Sequence, residues 1–146
     1  MRVVVDTGML VQALIRPSGS LEPALRRLRD NDFTLLFSNA WLGGLLDILA
    51  APSLRQKYHF EDSDVQALIA LLLLRGEPVF PLHPIAVCTA PYENHLLEIA
   101  VTGHASALVT TGSQLLRTPQ IRAYRVRHLF QDIPLITPAA FLRLLG

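Results

Sequence analysis

Four short apolar runs limit what this chain can fold into: "RVVV" (2–5), "FTLLF" (33–37), "SALVTT" (106–111) and "IPLIT" (133–137). "RVVV" is β-branched and continuous rather than alternating, which fits a strand covered on both faces, as in a parallel sheet. The stretches between the runs have helical spacing. "MLVQALI" (9–15) stops before Arg16-Pro17, and "SGSLEPALRRLRDND" (18–32) has a start signal at Ser20 with Leu21, Leu25 and Leu28 along one side. "NAWLGGLLDILA" follows Ser38, a natural N-cap, and Pro52 ends it. "EDSDVQALIALLLLRG" (61–76) predicts a long helix with Ser63 as N-cap and Gly76 at its C-terminal end. "PVFPL" (78–82) predicts a short edge strand, "ENHLLEIAVTGHA" (93–105) a helix, and "PAAFLRLL" (138–145) a closing helix with Pro in its first turn. Strands that alternate with helices predict an α/β fold with right-handed crossovers, one domain over residues 1–146.

Composition removes several classes. At 146 residues, 51% hydrophobic and 17% charged, the chain can bury a core and does not read as disordered. The formal net charge of +1 gives no global signal for nucleic acid. Cys88 is the single cysteine, so no intrachain disulfide can form, and a reducing cytoplasm is the expected setting. The chain enters its first strand without a signal-peptide layout, and the apolar run "ALIALLLL" (67–74) is too short to span a bilayer. No membrane role is expected.

In an open parallel sheet, ligands bind beyond the C-terminal ends of the strands. That directs attention to Asp6–Gly8, Ser38–Asn39 and Thr110–Gln114, and to Glu93 at a helix start. "VVVDTGML" (3–10) admits three readings. Asp-Thr-Gly is the loop of aspartic proteases, but those are all-β and need two copies. Haloacid dehalogenase-like phosphotransferases place a second Asp two residues after the first, where this chain has Gly8.

The third reading covers most of the chain. "RVVVDTGMLVQALIRPSG", "LLFSNAWLGGLLDILAAPSLRQKY", "VCTAPYENHLLEIAVTGHASALVTTGSQLL" and "IPLITPAAFLRLL" are together similar to the PIN-domain family, and within it to the toxin components of bacterial toxin–antitoxin systems. The resemblance implies a three-layer α/β sandwich around a parallel sheet of about five strands. It also implies RNA cleavage that depends on Mg²⁺ or Mn²⁺ held by clustered acids, an antitoxin-like protein partner, and a homodimer. For the dimer contact, the leucines of 71–74 and Trp41 are available, though each suits a core equally well.

Such a metal site needs several hard oxygen ligands in one place. Asp6 matches the first acid of the family and Thr7 its next residue, while Gly8 replaces the usual Asn. The second acid, on the helix after the second strand, falls on Gly44. Asp47 is one turn on, about 5 Å further along the axis. Glu93 in "CTAPYENHLL" stands for the Asp that precedes Asn, and Ala90 replaces an earlier Asp. In "VTTGSQLL" both late acids are neutral, at Gly112 and Gln114. The expectation is a degenerate site: Asp6 and Glu93 remain as catalytic and metal-binding candidates, and nuclease activity is weak or lost. The alternative for both is purely structural, since a carboxylate at a strand end or helix start is stabilised by backbone N–H groups.

Other candidates carry less. The histidines His59, His83, His95, His104 and His128 have no zinc spacing, and most are expected at the surface. Ser113 lacks a G-x-S-x-G elbow, and Cys88 is expected to be a buried apolar residue. The segment "RTPQIRAYRVRHLFQD" (117–132) is longer than the family's link into the last strand. It carries Arg117, Arg122, Arg125 and Arg127 with Tyr124 and Phe130, a mixture suited to phosphate contacts and base stacking, or to an ordinary solvated hairpin. A non-catalytic RNA-binding or protein-interaction module is the alternative function.

Overall fold

The computed structural model describes residues 1–16, 22–82, 84–86, 91–111, 125–128 and 131–146. In chain order the elements are β1 (Arg2–Val5), α1 (Thr7–Ile15), α2 (Glu22–Arg29), β2 (Thr34–Phe37), α3 (Asn39–Ala50), α4 (Pro52–Tyr58), α5 (Asp62–Arg75), β3 (Gly76–Pro78), α6 (Pro91–Thr102), β4 (Ala107–Val109), β5 (Arg125–His128), β6 (Gln131–Ile136) and a last helix, α7 (Pro138–Leu145).

The strands form a sheet in the order β3-β2-β1-β4-β6-β5. The first five of these run parallel, and β5 is antiparallel to β6. Val3, Val4 and Val5 are at most 2% exposed, so β1 is covered on both faces, as its unbroken apolar run predicts. Helix α6 lies against β1, β2, β4 and β6, while α1, α2, α3 and α5 pack among themselves. Helices therefore flank the sheet in an α/β sandwich, as expected. A continuous apolar core runs from Val3 through Trp41, Leu72 and Leu108 to Phe141 and Leu145.

Several local expectations shift. Helix α1 starts at Thr7, two residues early, because the Asp6 side chain caps it. Pro52 ends α3 and also opens α4, since Pro suits a first helical turn. The N-cap of α5 is Glu61 rather than Ser63; its N–H donates to Asp64 Oδ2 at 2.9 Å. Strand β3 is Gly76–Pro78, and it leaves α5 without a loop. The span 79–82 adds no strand, which fits the ring of Pro81 and its missing N–H. Ser20, Cys88, Ala90, Gly112, Ser113, Gln114, Arg117, Arg122, Tyr124 and Phe130 lie outside the described residues.

The chain reverses strand order between β1 and β4, which puts the crevice beyond their C-terminal ends. Register brings those ends level. Val5 pairs with Val109, and Val109 pairs with Ile136. The Asp6 N–H donates to the Val109 carbonyl at 2.9 Å, and the Thr110 N–H to the Ile136 carbonyl at 3.0 Å. Asp6 and Thr110 thus stand side by side at the switch point.

Candidate active site

Asp6 follows the last residue of β1 and caps α1. Its Oδ1 accepts the Gly8 N–H at 2.9 Å, the usual service of an aspartate at a helix start. The same oxygen accepts the Tyr92 hydroxyl at 3.1 Å, and Oδ2 accepts the Thr110 hydroxyl at 3.4 Å. Tyr92 belongs to the first turn of α6, which docks on the end of β1. Its oxygen accepts the Thr7 N–H at 2.9 Å and lies 2.9 Å from Thr7 Oγ1. Burial pushes the Tyr92 hydroxyl up to about 12, and the charge of Asp6 works in the same direction, against the hydrogen bonds from Thr7. At neutral pH Tyr92 therefore keeps its proton and remains a donor to Asp6.

Glu93 follows in the same turn. It is 9% exposed, and its Oε2 is buried with no hydrogen-bond partner among the described residues. A carboxylate oxygen in that state has lost water without compensation. Gly44 and Asp47 are both exposed on α3, and nothing lies within 4 Å of where a Gly44 Cβ would be. Among the described residues no group of three His, Cys, Asp or Glu could hold a metal ion.

A second polar chain runs beside this corner. Ser38 Oγ accepts the Trp41 N–H at 3.0 Å, capping α3, and lies 2.6 Å from His95 Nε2. His95 Nδ1 is 3.0 Å from Glu98 Oε1, and Glu98 Oε2 accepts the Ile85 N–H at 2.9 Å. Every member is satisfied if Ser38 donates to Nε2 and the Nδ1–H donates to Glu98. The order Ser–His–carboxylate matches that of a hydrolytic triad. Ser38, however, is 3% exposed, with an ordinary extended backbone (φ −113°, ψ 167°), so no substrate reaches its hydroxyl. The chain instead fastens α6 to the start of α3. Trp41 adds to the same joint by donating its indole N–H to the Val5 carbonyl at 2.9 Å.

Sequence reasoning placed Asp6, Thr7, Ser38, Glu93 and Thr110 at this edge, and the structure gathers Asp6, Thr7 and Thr110 there. It missed Tyr92 and the role of His95. His95 is half-buried in a polar network. The spacing of His95 and Glu98, three residues apart on one helix face, was the available signal. Tyr92 had none, because its partners are 85 and 86 residues away. Arg125 and Arg127 lie in β5, at the sheet edge furthest from β3. Trp41 and Leu72 belong to the core, whereas Leu73 and Leu74 are exposed. A cavity of about 360 Å³ lies elsewhere, lined by Leu14, Leu25, Phe60 and Leu68 with Glu22 and Arg29.

A hard divalent cation requires several free oxygen ligands. Here Asp6 already accepts three hydrogen bonds, Gly44 offers no side-chain oxygen, and Glu93 has a buried oxygen without a hydrogen-bond partner among the described residues. The described residues do not fit a cation site built from several carboxylates.

A parallel sheet of this order, with an aspartate at its switch point and a capping helix behind it, defines a PIN-like α/β domain. The PIN domain family model (PIN_3) matches residues 2–112, and the chain belongs to the PIN-domain family. In fold it is similar to VapBC2 from Rickettsia felis, solved bound to a DNA fragment from its promoter. The identity is 20%, the match covers 94% of this chain and 98% of that one, and the TM-score is 0.51. No curated protein matches the chain. Among the described residues no helix is long and apolar enough to cross a membrane.

Proposed function

We propose that this chain is a toxin-like PIN-domain protein of the ribonuclease family whose nuclease activity is weak or lost. PIN domains are generally metal-dependent nucleases, and the observation that carries the reading is the state of Asp6. The first acid of the family is present, but it is engaged by Gly8, Tyr92 and Thr110 instead of standing free among other carboxylates. Asp6 and Glu93 are the catalytic and metal-binding residues that remain. With carboxylate oxygens as donors, the ion they would hold is hard, Mg²⁺ or Mn²⁺. Two carboxylates, one of them engaged, hold such an ion weakly.

The partners proposed are RNA and an antitoxin-like protein, with a homodimer as the assembly and the cytoplasm as the location. The family resemblance supports these, and the fold neighbour bound to promoter DNA is in keeping with a nucleic-acid setting. One observation favours a second reading, a non-catalytic RNA-binding module. The family match ends at residue 112, before the segment with Arg117, Arg122, Arg125 and Arg127, part of which adds β5 to the sheet edge.

Incubating the protein with structured RNA in Mg²⁺ or Mn²⁺ tests the main reading. Little or no cleavage is expected; robust cleavage abolished by Asp6→Asn overturns it. Gel shifts on the same RNA test the second reading. Unchanged affinity in an Arg122/Arg125/Arg127→Ala variant removes the basic segment from RNA binding.

A further inference from the structure

We infer that the Asp6 corner is a seat for one unpaired guanine base of a single-stranded RNA: the Tyr92 ring is the platform on which the base stacks, and Asp6 Oδ2 accepts from its N–H edge. The inference rests on the reading of RNA as a partner and names the part of the RNA that is read.

Tyr92 is fixed more firmly than an exposed tyrosine needs to be. The Thr7 N–H donates to its oxygen at 2.9 Å, Thr7 Oγ1 lies 2.9 Å from the same oxygen, and the hydroxyl donates to Asp6 Oδ1 at 3.1 Å. Thr7 is 4% exposed, so the anchor is part of the packed start of α1. Tyr92 is nevertheless 39% open to solvent. With its oxygen tied inward, what it presents is aromatic surface, at the switch point where an open parallel sheet binds ligands. A ring held in one orientation before a partner arrives stacks without a further loss of rotamer freedom. Phe80 is exposed too, but it follows β3 at the sheet edge.

Asp6 decides what lies on the ring. Its Oδ1 is filled by the Gly8 N–H and the Tyr92 hydroxyl. Its Oδ2 accepts the Thr110 hydroxyl at 3.4 Å, long for such a donor, which leaves acceptor capacity on that oxygen. No ion pair among the described residues includes Asp6. A phosphate brought to this carboxylate meets like charge, whereas a base edge with N–H groups meets an acceptor. Oδ2 belongs to the carboxylate that the Tyr92 hydroxyl touches, so a base laid on the ring has its edge beside it. Guanine presents adjacent imino and amino N–H groups on its Watson–Crick edge. Uracil presents a single N–H between two carbonyl oxygens, which the carboxylate repels. Stacking alone tolerates any base, so a preference for guanine is the mark of Asp6.

Fluorescence anisotropy with short labelled single-stranded RNAs in EDTA tests this on the full chain, comparing an all-uracil strand with the same strand carrying one guanine. Wild type is expected to bind the guanine strand about tenfold more tightly, the range of one hydrogen bond to a charged acceptor. Tyr92→Ala is expected to weaken the guanine strand about tenfold or more, the contribution of one stacked base. Tyr92→Phe, which restores the ring, recovers most of that loss, and Asp6→Asn narrows the difference between the strands. Guanosine as competitor separates a strand from a free nucleoside: weaker binding than the guanine strand supports RNA as the source, and equal binding overturns it. Equal affinity of the two strands for wild type overturns the inference even if Tyr92→Ala does not fold, and so does unchanged affinity in a folded Tyr92→Ala. RNA binding that ignores Tyr92 and Asp6 leaves RNA standing as a partner, whereas no binding of either strand removes both readings.

Discussion

Tyr92 reaches from the first turn of α6 to the carboxylate that follows β1. Asp6 keeps its place at the end of β1, yet its negative charge is answered by hydrogen bonds from Gly8, Tyr92 and Thr110. This arrangement has a signature in alkali. The Tyr92 hydroxyl rises from an ordinary 10.0 to about 12 in the folded chain. Below pH 10 both folded and unfolded chains hold the proton. Between about 10 and about 12 the unfolded chain releases it and the folded chain does not, so stability falls as pH rises through that window. Urea denaturation at several alkaline pH values is expected to show this fall in wild type and a flatter profile in Tyr92→Phe. Equal slopes in the two proteins would contradict the placement of the hydroxyl.

Among the elements, α3 and the junction of α5 with β3 differ in what a side chain would cost. A Cβ on Gly44 meets nothing within 4 Å and would face open space on the surface of α3. Gly44→Ala is expected to raise stability by about 0.5–1 kcal/mol, the helix-propensity difference. A Cβ on Gly76 lies 2.4 Å from the Leu72 carbonyl oxygen and 2.8 Å from the Phe37 ring, so Gly76→Ala is expected to lower stability by about 1–3 kcal/mol. Chemical denaturation of the pair checks both signs, and a destabilised Gly44→Ala would show that α3 packs differently. The same elements show what a sequence can and cannot reveal. The core strand β1 was legible because its three valines carry the signal of burial on both faces within the strand itself. Strand β3 was displaced in the reading because its pairing with β2 is set by backbone register, which the prolines nearby obscure. The acidic corner was legible at Asp6, where strand end and helix start coincide. It was illegible at Tyr92, whose value depends on a docking between elements far apart in sequence.

At the scale of the molecule, fold and chemistry separate cleanly. The sheet order, the covered strands and the core from Val3 to Leu145 are built from apolar residues and draw on no acidic cluster. Asp6, Tyr92, Thr7 and Thr110 form a hydrogen-bonded corner beyond the C-terminal ends of β1 and β4. The anomalous difference map of a crystal of the wild-type protein soaked in Mn²⁺ tests this directly. The account predicts no Mn²⁺ peak beside Asp6 and an intact Tyr92–Asp6 hydrogen bond; a strong peak within ligand distance of the Asp6 carboxylate, with Tyr92 turned away, would contradict it.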